Sequence, residues 1–385
     1  MNNSGVITNT ASLVDIDRLS KYTGGFNALV AQGGGQRGIF TAGVLDAFLL
    51  SDFDPFHQFY GTSAGALNLS AYLCRQKGIG RSFILELTTS PEFFHLFSYI
   101  RRKQYLGLDW ALEKISDYPY RLDIDMGRRV LGSRRAYAAV TDASRLIDRY
   151  LPMLEEDWKQ VLIATCAIPR LYEHEVSFPH GSYIDGGVSA SIPVQEAWRQ
   201  GARCIVVIRT EGDEVPIPEP LGREQSDAEW YRDSLNLVQD HWQQKLTQWK
   251  GEWNEFFTDR MQRSKQKKQQ QQLLASLNGG RWLFGADDIY RLSHLLGDGF
   301  DSGLMDMLMV HYQTYSLTRE FLLTPPDDCY IVQIKPSQPL LSSSLMSNRE
   351  ELLHDYQLGL DAGFRCVDTF DQCGVTQLVE SFNLK

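Results

Sequence analysis

Three short stretches of this 385-residue chain bring together residue types that can do chemistry. Gly61-Thr62-Ser63-Ala64-Gly65 has the G-x-S-x-G pattern, in which a sharp strand-to-helix turn pushes a serine hydroxyl outward while the flanking glycines leave room for the tight backbone. Gly33-Gly34-Gly35-Gln36-Arg37-Gly38 offers unobstructed main-chain N–H groups at a helix start, which suits an oxyanion or a phosphate. Tyr183-Ile184-Asp185-Gly186-Gly187 places a carboxylate where an apolar strand meets two flexible glycines. Alone, that last string is an ordinary turn. At the carboxyl end of a strand, on the same sheet edge as Ser63, the carboxylate could accept the serine proton directly.

The glycine stretch also spells the dinucleotide fingerprint G-x-G-x-x-G. That motif wants an acid at the end of the next strand, whereas Asp52 and Asp54 precede the apolar run Phe56 to Tyr60 and fall at its far end. A phosphate loop fails because no Gly-Lys-Ser/Thr follows. A histidine base would make a triad instead of a dyad. His57, six residues before Ser63 along an extended segment, belongs roughly 20 Å away at the opposite sheet edge. His180 stands in the same relation to Asp185, and His174 lies further back. His95 stays open. No H-E-x-x-H string is present, and Glu173-His174-Glu175 reads as a solvated strand edge, so neither metal nor cofactor is expected.

Alternating strands and helices must position these groups. Ala28 to Ala31 reads as a strand, Ile39 to Leu50 as a helix, Phe56 to Tyr60 as a strand, and Ala66 to Lys77 as a helix that Gly78 can end. Residues 91–130 mix aromatic and basic side chains without a period and read as an insertion over the core. Strand signals return at Ala136 to Val140, Val161 to Thr165, Tyr183-Ile184 and Ile205 to Ile208. The expected fold class is α/β, a mainly parallel sheet sandwiched by helices, with a mostly helical C-terminal segment. Residues 1–24 are a polar tail and 25–215 the catalytic core. Residues 216–325 form a charged, glutamine-rich helical segment or subdomain holding Trp242, Trp249, Trp253 and the run Gln269 to Gln272. In 326–385 a strand at Cys329 to Ile334 and a helix pack back on the core, the helix opened by a Ser347–Glu350 capping box and ended by Gly363.

Composition excludes other classes. The net charge of -10 gives no field that favours nucleic acid or an anionic membrane, so lipid contact has to be local. Six scattered cysteines without metal-ligand spacing read as reduced thiols in a cytoplasmic protein. The start lacks the form of a signal peptide, and no stretch of about 18 uncharged apolar residues occurs, so membrane association would be peripheral.

Together the motifs resemble the patatin-like phospholipase family. The match runs from about Ala28 to Thr210 through the glycine loop with Arg37, the Gly61 to Gly65 elbow, Ala167-Ile168-Pro169, Asp185-Gly186-Gly187, Ile192-Pro193 and Gly201-Ala202. The resemblance implies a serine–aspartate dyad without histidine. Ser63 would be the nucleophile and Asp185 the base, with an oxyanion hole from the N–H groups of Gly34, Gly35 and Gln36 helped by Arg37. Cys166 departs from the pattern where a small hydroxyl residue is expected, a matter of local packing. The substrate is then a lipid or acyl ester, with Phe93, Phe94, Leu96, Phe97 and Tyr99 lining an acyl channel and Arg101, Arg102 and Lys103 meeting a head group, or else forming core and solvated surface. Two other classes stay open: a nucleotide-binding oxidoreductase built on the glycine fingerprint, and a catalytically silent interaction protein.

Overall fold

The computed structural model describes residues 26–93, 106–169, 171–172, 174–212, 302–345 and 347–372. The expected tail at 1–24, His95, the aromatic and basic residues between 94 and 103, and residues 216–301 of the expected charged segment 216–325 lie outside the described residues. The strands, in chain order, are β1 (Phe26–Ala31), β2 (Gln58–Thr62), β3 (Arg135–Asp142), β4 (Asp148–Pro152), β5 (Val176–Phe178), β6 (Gly181–Asp185), β7 (Ala202–Ile208) and β8 (Tyr330–Ile334). The helices are α1 (Gly38–Leu50), α2 (Ala64–Leu73), α3 (Ile79–Ser82), α4 (Leu108–Lys114), α5 (Ile124–Leu131), α6 (Trp158–Cys166), α7 (Val194–Arg199), α8 (Ser302–Leu323) and α9 (Arg349–Gln372). Two compact units are present, one of residues 1–212 and 310–385, the other of 213–309. Of the second, only 302–309 at the start of α8 are described.

The strands form one mixed, mostly parallel sheet in the order β5-β6-β3-β2-β1-β7-β8, with β4 on the free edge of β3. β3, β2, β1, β7 and β8 run parallel, whereas β4 and β6 run antiparallel to β3. The central strands are apolar at consecutive positions because both faces are covered. Leu29, Val206 and Val332 face a core that also holds residues of α1, α2, α6 and α9. Ala28, Val30, Ile205, Val207 and Ile331 face a second core that includes Val194 and Ala197 of α7 and Leu322 of α8. The α/β expectation therefore holds.

α9 lies so close on α1 that glycines are obligatory at the crossing. A side chain on Gly43 would collide with the carbonyl of Tyr356, and one on Gly359 with that of Phe40. At Gly363 it would sit 2.6 Å from the Cβ of Ala47. Gly363 thus packs inside a helix that runs on to Gln372, instead of ending it. The expected capping box is also one residue late: Asn348 accepts from the Glu351 N–H at 2.9 Å, and the Glu351 carboxylate takes the Asn348 N–H at 3.0 Å. Nor is Val161–Thr165 a strand. It continues the helical turn begun at Trp158, and its run of four apolar residues is too short to carry a period that would tell the two apart. α2 stops at Leu73, and Gly78 instead precedes α3 in a left-handed conformation with φ 84°.

The pairing along β3 positions the chemistry. Its residues Tyr137 to Thr141 partner β4 on one edge, so β2 and β6 must share the other. Thr62 at the end of β2 stands opposite Ala139, and Asp185 at the end of β6 stands opposite Val140. Two strands running toward each other thus meet carboxyl end to carboxyl end.

Candidate active site

Ser63 alone makes the turn between β2 and α2, with φ 51° and ψ -124°. A side-chain-bearing residue there costs about 1–3 kcal/mol and persists only when its surroundings hold it. They do so at both ends of the residue. The Ser63 N–H donates to the Thr165 hydroxyl at 2.9 Å, and the Ser63 carbonyl accepts from Ala66 and Leu67 at 2.9 and 3.2 Å. The elbow glycines serve steric needs instead of conformational ones. A Cβ on Gly61 would lie 2.6 Å from the backbone of Ala66, and one on Gly65 would lie 2.5 Å from the Ala31 carbonyl oxygen.

Asp185 ends β6, with its N–H on the Ala167 carbonyl at 3.0 Å and its own carbonyl held by the Thr141 hydroxyl at 2.8 Å. Gly186 fits because any side chain would strike the Ala139 carbonyl. The Asp185 carboxylate accepts the Gly187 N–H at 2.5 Å and interacts with the Ser63 side chain. Burial pushes the carboxyl up to about 7, although the Gly187 N–H and the Ser63 side chain pull the other way. Ser63 is 8% exposed and Asp185 7%. Cys166, at the end of α6, adjoins the pair: burial first, then the charge of Asp185, hold its thiol neutral. The chain's departure at this position therefore falls at the chemistry as well as in the packing.

The glycine loop runs beside the elbow, since a Cβ on Gly33 would lie 3.6 Å from that of Ser63. The Gly33 N–H goes to the Ser191 carbonyl at 3.0 Å. Two of the expected oxyanion donors are engaged elsewhere. Gln36 gives its N–H to the Ser344 carbonyl at 2.9 Å and Arg37 to the Gly34 carbonyl at 3.2 Å, while the Arg37 guanidinium pairs with Glu211 at 2.7 Å. Gly34 and Gly35, half-buried, keep N–H groups without a hydrogen-bond partner among the described residues. The buried Gln36 side chain is a tie instead. Its oxygen takes the Ser347 N–H at 2.8 Å and its nitrogen reaches Thr88 at 3.1 Å. Gly38 lets α1 approach α2, its absent Cβ being 2.8 Å from that of Ala64.

His57 lies before β2, its Nδ1 accepting the Asn27 N–H at 3.2 Å, and burial lowers its pKa. His180 sits not at that edge but beyond the start of β6, because β6 is antiparallel; the length of the strand still separates it from Asp185 by roughly 16 Å. No acid stands at the end of β2, where a dinucleotide ribose would need one: β2 ends at Thr62, and Asp54 binds Arg75 and Arg134 at 2.5 and 2.8 Å ahead of it. Sequence reasoning missed His311, whose Nδ1 lies 2.6 Å from the Gly187 carbonyl oxygen, and Tyr315, whose hydroxyl donates to Glu211 at 2.7 Å. Nothing local in the sequence signals either. Among the described residues no helix is long and apolar enough to cross a membrane.

A family model described as patatin-like phospholipase matches residues 29–198, and one described as a domain of unknown function (DUF6363) matches residues 301–373. The chain is 32% identical over 343 residues to "Uncharacterized protein YjjU" of Escherichia coli (strain K12), a match that covers 89% of this chain and 77% of that protein. Among solved structures, VipD from Legionella pneumophila is similar at 13% identity and a TM-score of 0.34, over 90% of this chain and 67% of that one.

Proposed function

This chain belongs to the patatin-like phospholipase family, a family of lipid hydrolases, and we propose that it cleaves acyl esters of lipids by a Ser63–Asp185 dyad, in the manner of a phospholipase A or lysophospholipase. The observation that carries this reading is the meeting of Ser63 and Asp185, both buried, where the carboxyl ends of β2 and β6 face each other on one edge of β3, with burial pushing the carboxyl up to about 7. A base works best when its pKa is near the operating pH, and an ordinary carboxylate is far too acidic to take a serine proton at neutrality. As Ser63 Oγ attacks the ester carbonyl, Asp185 takes its proton and returns it to the leaving alcohol. The oxyanion is received by the N–H groups of Gly34 and Gly35 and by the N-terminal dipole of α2. Water, with its proton taken by Asp185, then releases the fatty acid. Gln36 and Arg37 hold the loop in shape through Ser347, Ser344 and Glu211.

A lipid substrate and a local, peripheral contact with a membrane surface follow from this reading. A cytoplasmic setting fits the free, buried thiols of Cys74, Cys166, Cys204, Cys329 and Cys366. The test is labelling with a fluorophosphonate, read by mass spectrometry at Ser63, together with fatty-acid release from phosphatidylcholine vesicles and from lysophosphatidylcholine. Labelling at Ser63 with release of fatty acid supports the reading. A folded protein that neither labels at Ser63 nor releases fatty acid would sink it.

A further inference from the structure

We propose that α8 braces the active site, with His311 as a positioning residue for Asp185 and Tyr315 as one for the glycine loop. This rests on the reading of Ser63 and Asp185 as the reacting pair. The turn that carries Asp185 is soft by necessity. Gly186 cannot bear a side chain beside Ala139, and a Cβ on Gly187 would lie 2.8 Å from the Asp185 carboxylate. The Gly186 carbonyl is held within the turn by the N–H groups of Ser189 and Ala190 at 3.3 and 2.8 Å, while the Gly187 carbonyl, on a residue whose backbone is unusually free, is fixed from outside. His311 does this. Its Nδ1 meets the Gly187 carbonyl at 2.6 Å, and a carbonyl can only accept, so Nδ1 carries the proton. The same glycine gives its N–H to Asp185 at 2.5 Å.

One turn further along α8, Tyr315 lies on the same face and stacks on the His311 ring, with centroids 5.9 Å apart and planes at 17°. Burial raises the Tyr315 phenol to about 12, so it stays a donor, and it gives its proton to Glu211 at 2.7 Å. Glu211 holds the Arg37 guanidinium with its other oxygen at 2.7 Å. From one helix, two arms therefore reach the two sides of the site: one to the turn of the base, the other to the end of the oxyanion loop. Both residues fall in 301–373, the stretch matched by the domain of unknown function. Its role here is to complete the site, since a displacement of about 1 Å in a reacting group can cost about 100-fold in rate.

The experiment compares the full chain with His311→Phe, His311→Asn, Tyr315→Phe and Ser63→Ala, reading kcat, KM and the pH dependence of kcat/KM on a p-nitrophenyl ester, with melting temperature as the check on folding. His311→Phe keeps the stacked ring and loses the donor. Its kcat should fall about 10- to 100-fold with KM within about twofold. Its acid limb should move to higher pH, because a loosened Gly187 N–H no longer pulls the Asp185 carboxyl down, while the Cys166 thiol beside it stays neutral. His311→Asn, whose Nδ2 can replace Nδ1, should recover most of the rate and return the limb. Tyr315→Phe should lower kcat without moving the limb. Wild-type kcat and an unmoved limb in His311→Phe, with Ser63-dependent hydrolysis intact in the parent, would overturn the brace alone. A parent no more active than Ser63→Ala would overturn the hydrolase reading and the brace with it. Should His311→Phe not fold, Tyr315→Phe decides: a wild-type kcat there overturns the brace.

Discussion

The hydroxyl of Thr165 accepts the main-chain N–H of Ser63 at 2.9 Å and donates to the carbonyl of Ala139 at 2.5 Å. A single side chain thus ties the strained elbow to β3, the strand that also sets the position of Asp185. Thr165→Val keeps the shape and removes both bonds, leaving a buried N–H unpaired at a cost of about 1–3 kcal/mol. We expect kcat to fall at least about tenfold, and Thr165→Ser to recover most of it. Steady-state kinetics on a short ester would check this, and equal rates for the valine and serine variants would count against it.

Asp185 gives a prediction about pH with a definite sign. Its folded pKa of about 7 lies above the value of about 3.9 in an unfolded chain, so the fold binds the proton more tightly. The stability contributed is fully present below about pH 4 and is lost as pH rises through 7, by up to about 1.4 kcal/mol per unit. Asp185→Asn should therefore melt above the parent at pH 8, with the gap closing toward pH 5. The rate should show the reverse, kcat/KM rising with pH below 7 and levelling above it. Melting curves that stay parallel across this range would refute the assignment.

Ser63→Ala and Asp185→Asn should each abolish ester hydrolysis in a folded protein, and the double variant should be little worse than either, because residues that act as a unit are not additive. His57→Gln and His180→Gln should keep most of the activity, since neither ring approaches the pair. A folded His95→Gln variant as inactive as Ser63→Ala would replace the dyad with a triad.

The crossing of α1 and α9 should tolerate no added atom. Gly359→Ala forces a methyl into the Phe40 carbonyl, and overpacking of this kind typically costs about 1–3 kcal/mol. Gly212→Ala, with nothing within 4 Å of its new methyl, is the control. Urea denaturation should separate the two variants, and equal midpoints would show that the helices can slide apart.

Much of this was legible in the sequence where the signal is local. The elbow, the glycine loop and the Asp-Gly-Gly turn each announce themselves within a few residues, as do β1, β7 and β8, whose apolar runs are bounded by turns. What brings Ser63 to Asp185 was only half legible. Both were expected at strand ends on one edge, but β5 and β6 are three and five residues long, too short for a pattern to reveal that they form a hairpin reversed against β3. The same reversal moves His180 from its expected edge. Gln36 was read for its backbone because glycine-rich loops present N–H groups, yet its side chain does more, through partners over 50 and over 300 residues away. His311 and Tyr315 have no local signature, since their meaning depends wholly on which turn the fold lays beneath α8.

The tie between Gln36 and Ser347 has a consequence for timing during synthesis. A chain emerging from the ribosome exposes Ser63 and Asp185 well before Ser344 and Ser347, and until those residues arrive the glycine loop lacks two of the bonds that shape it. Folding proceeds as the chain is made, so the core sheet can assemble early while the oxyanion donors stay unformed. On the proposed reading, a nascent chain would carry Ser63 without a formed oxyanion site until the segment that leads into α9 docks on the loop.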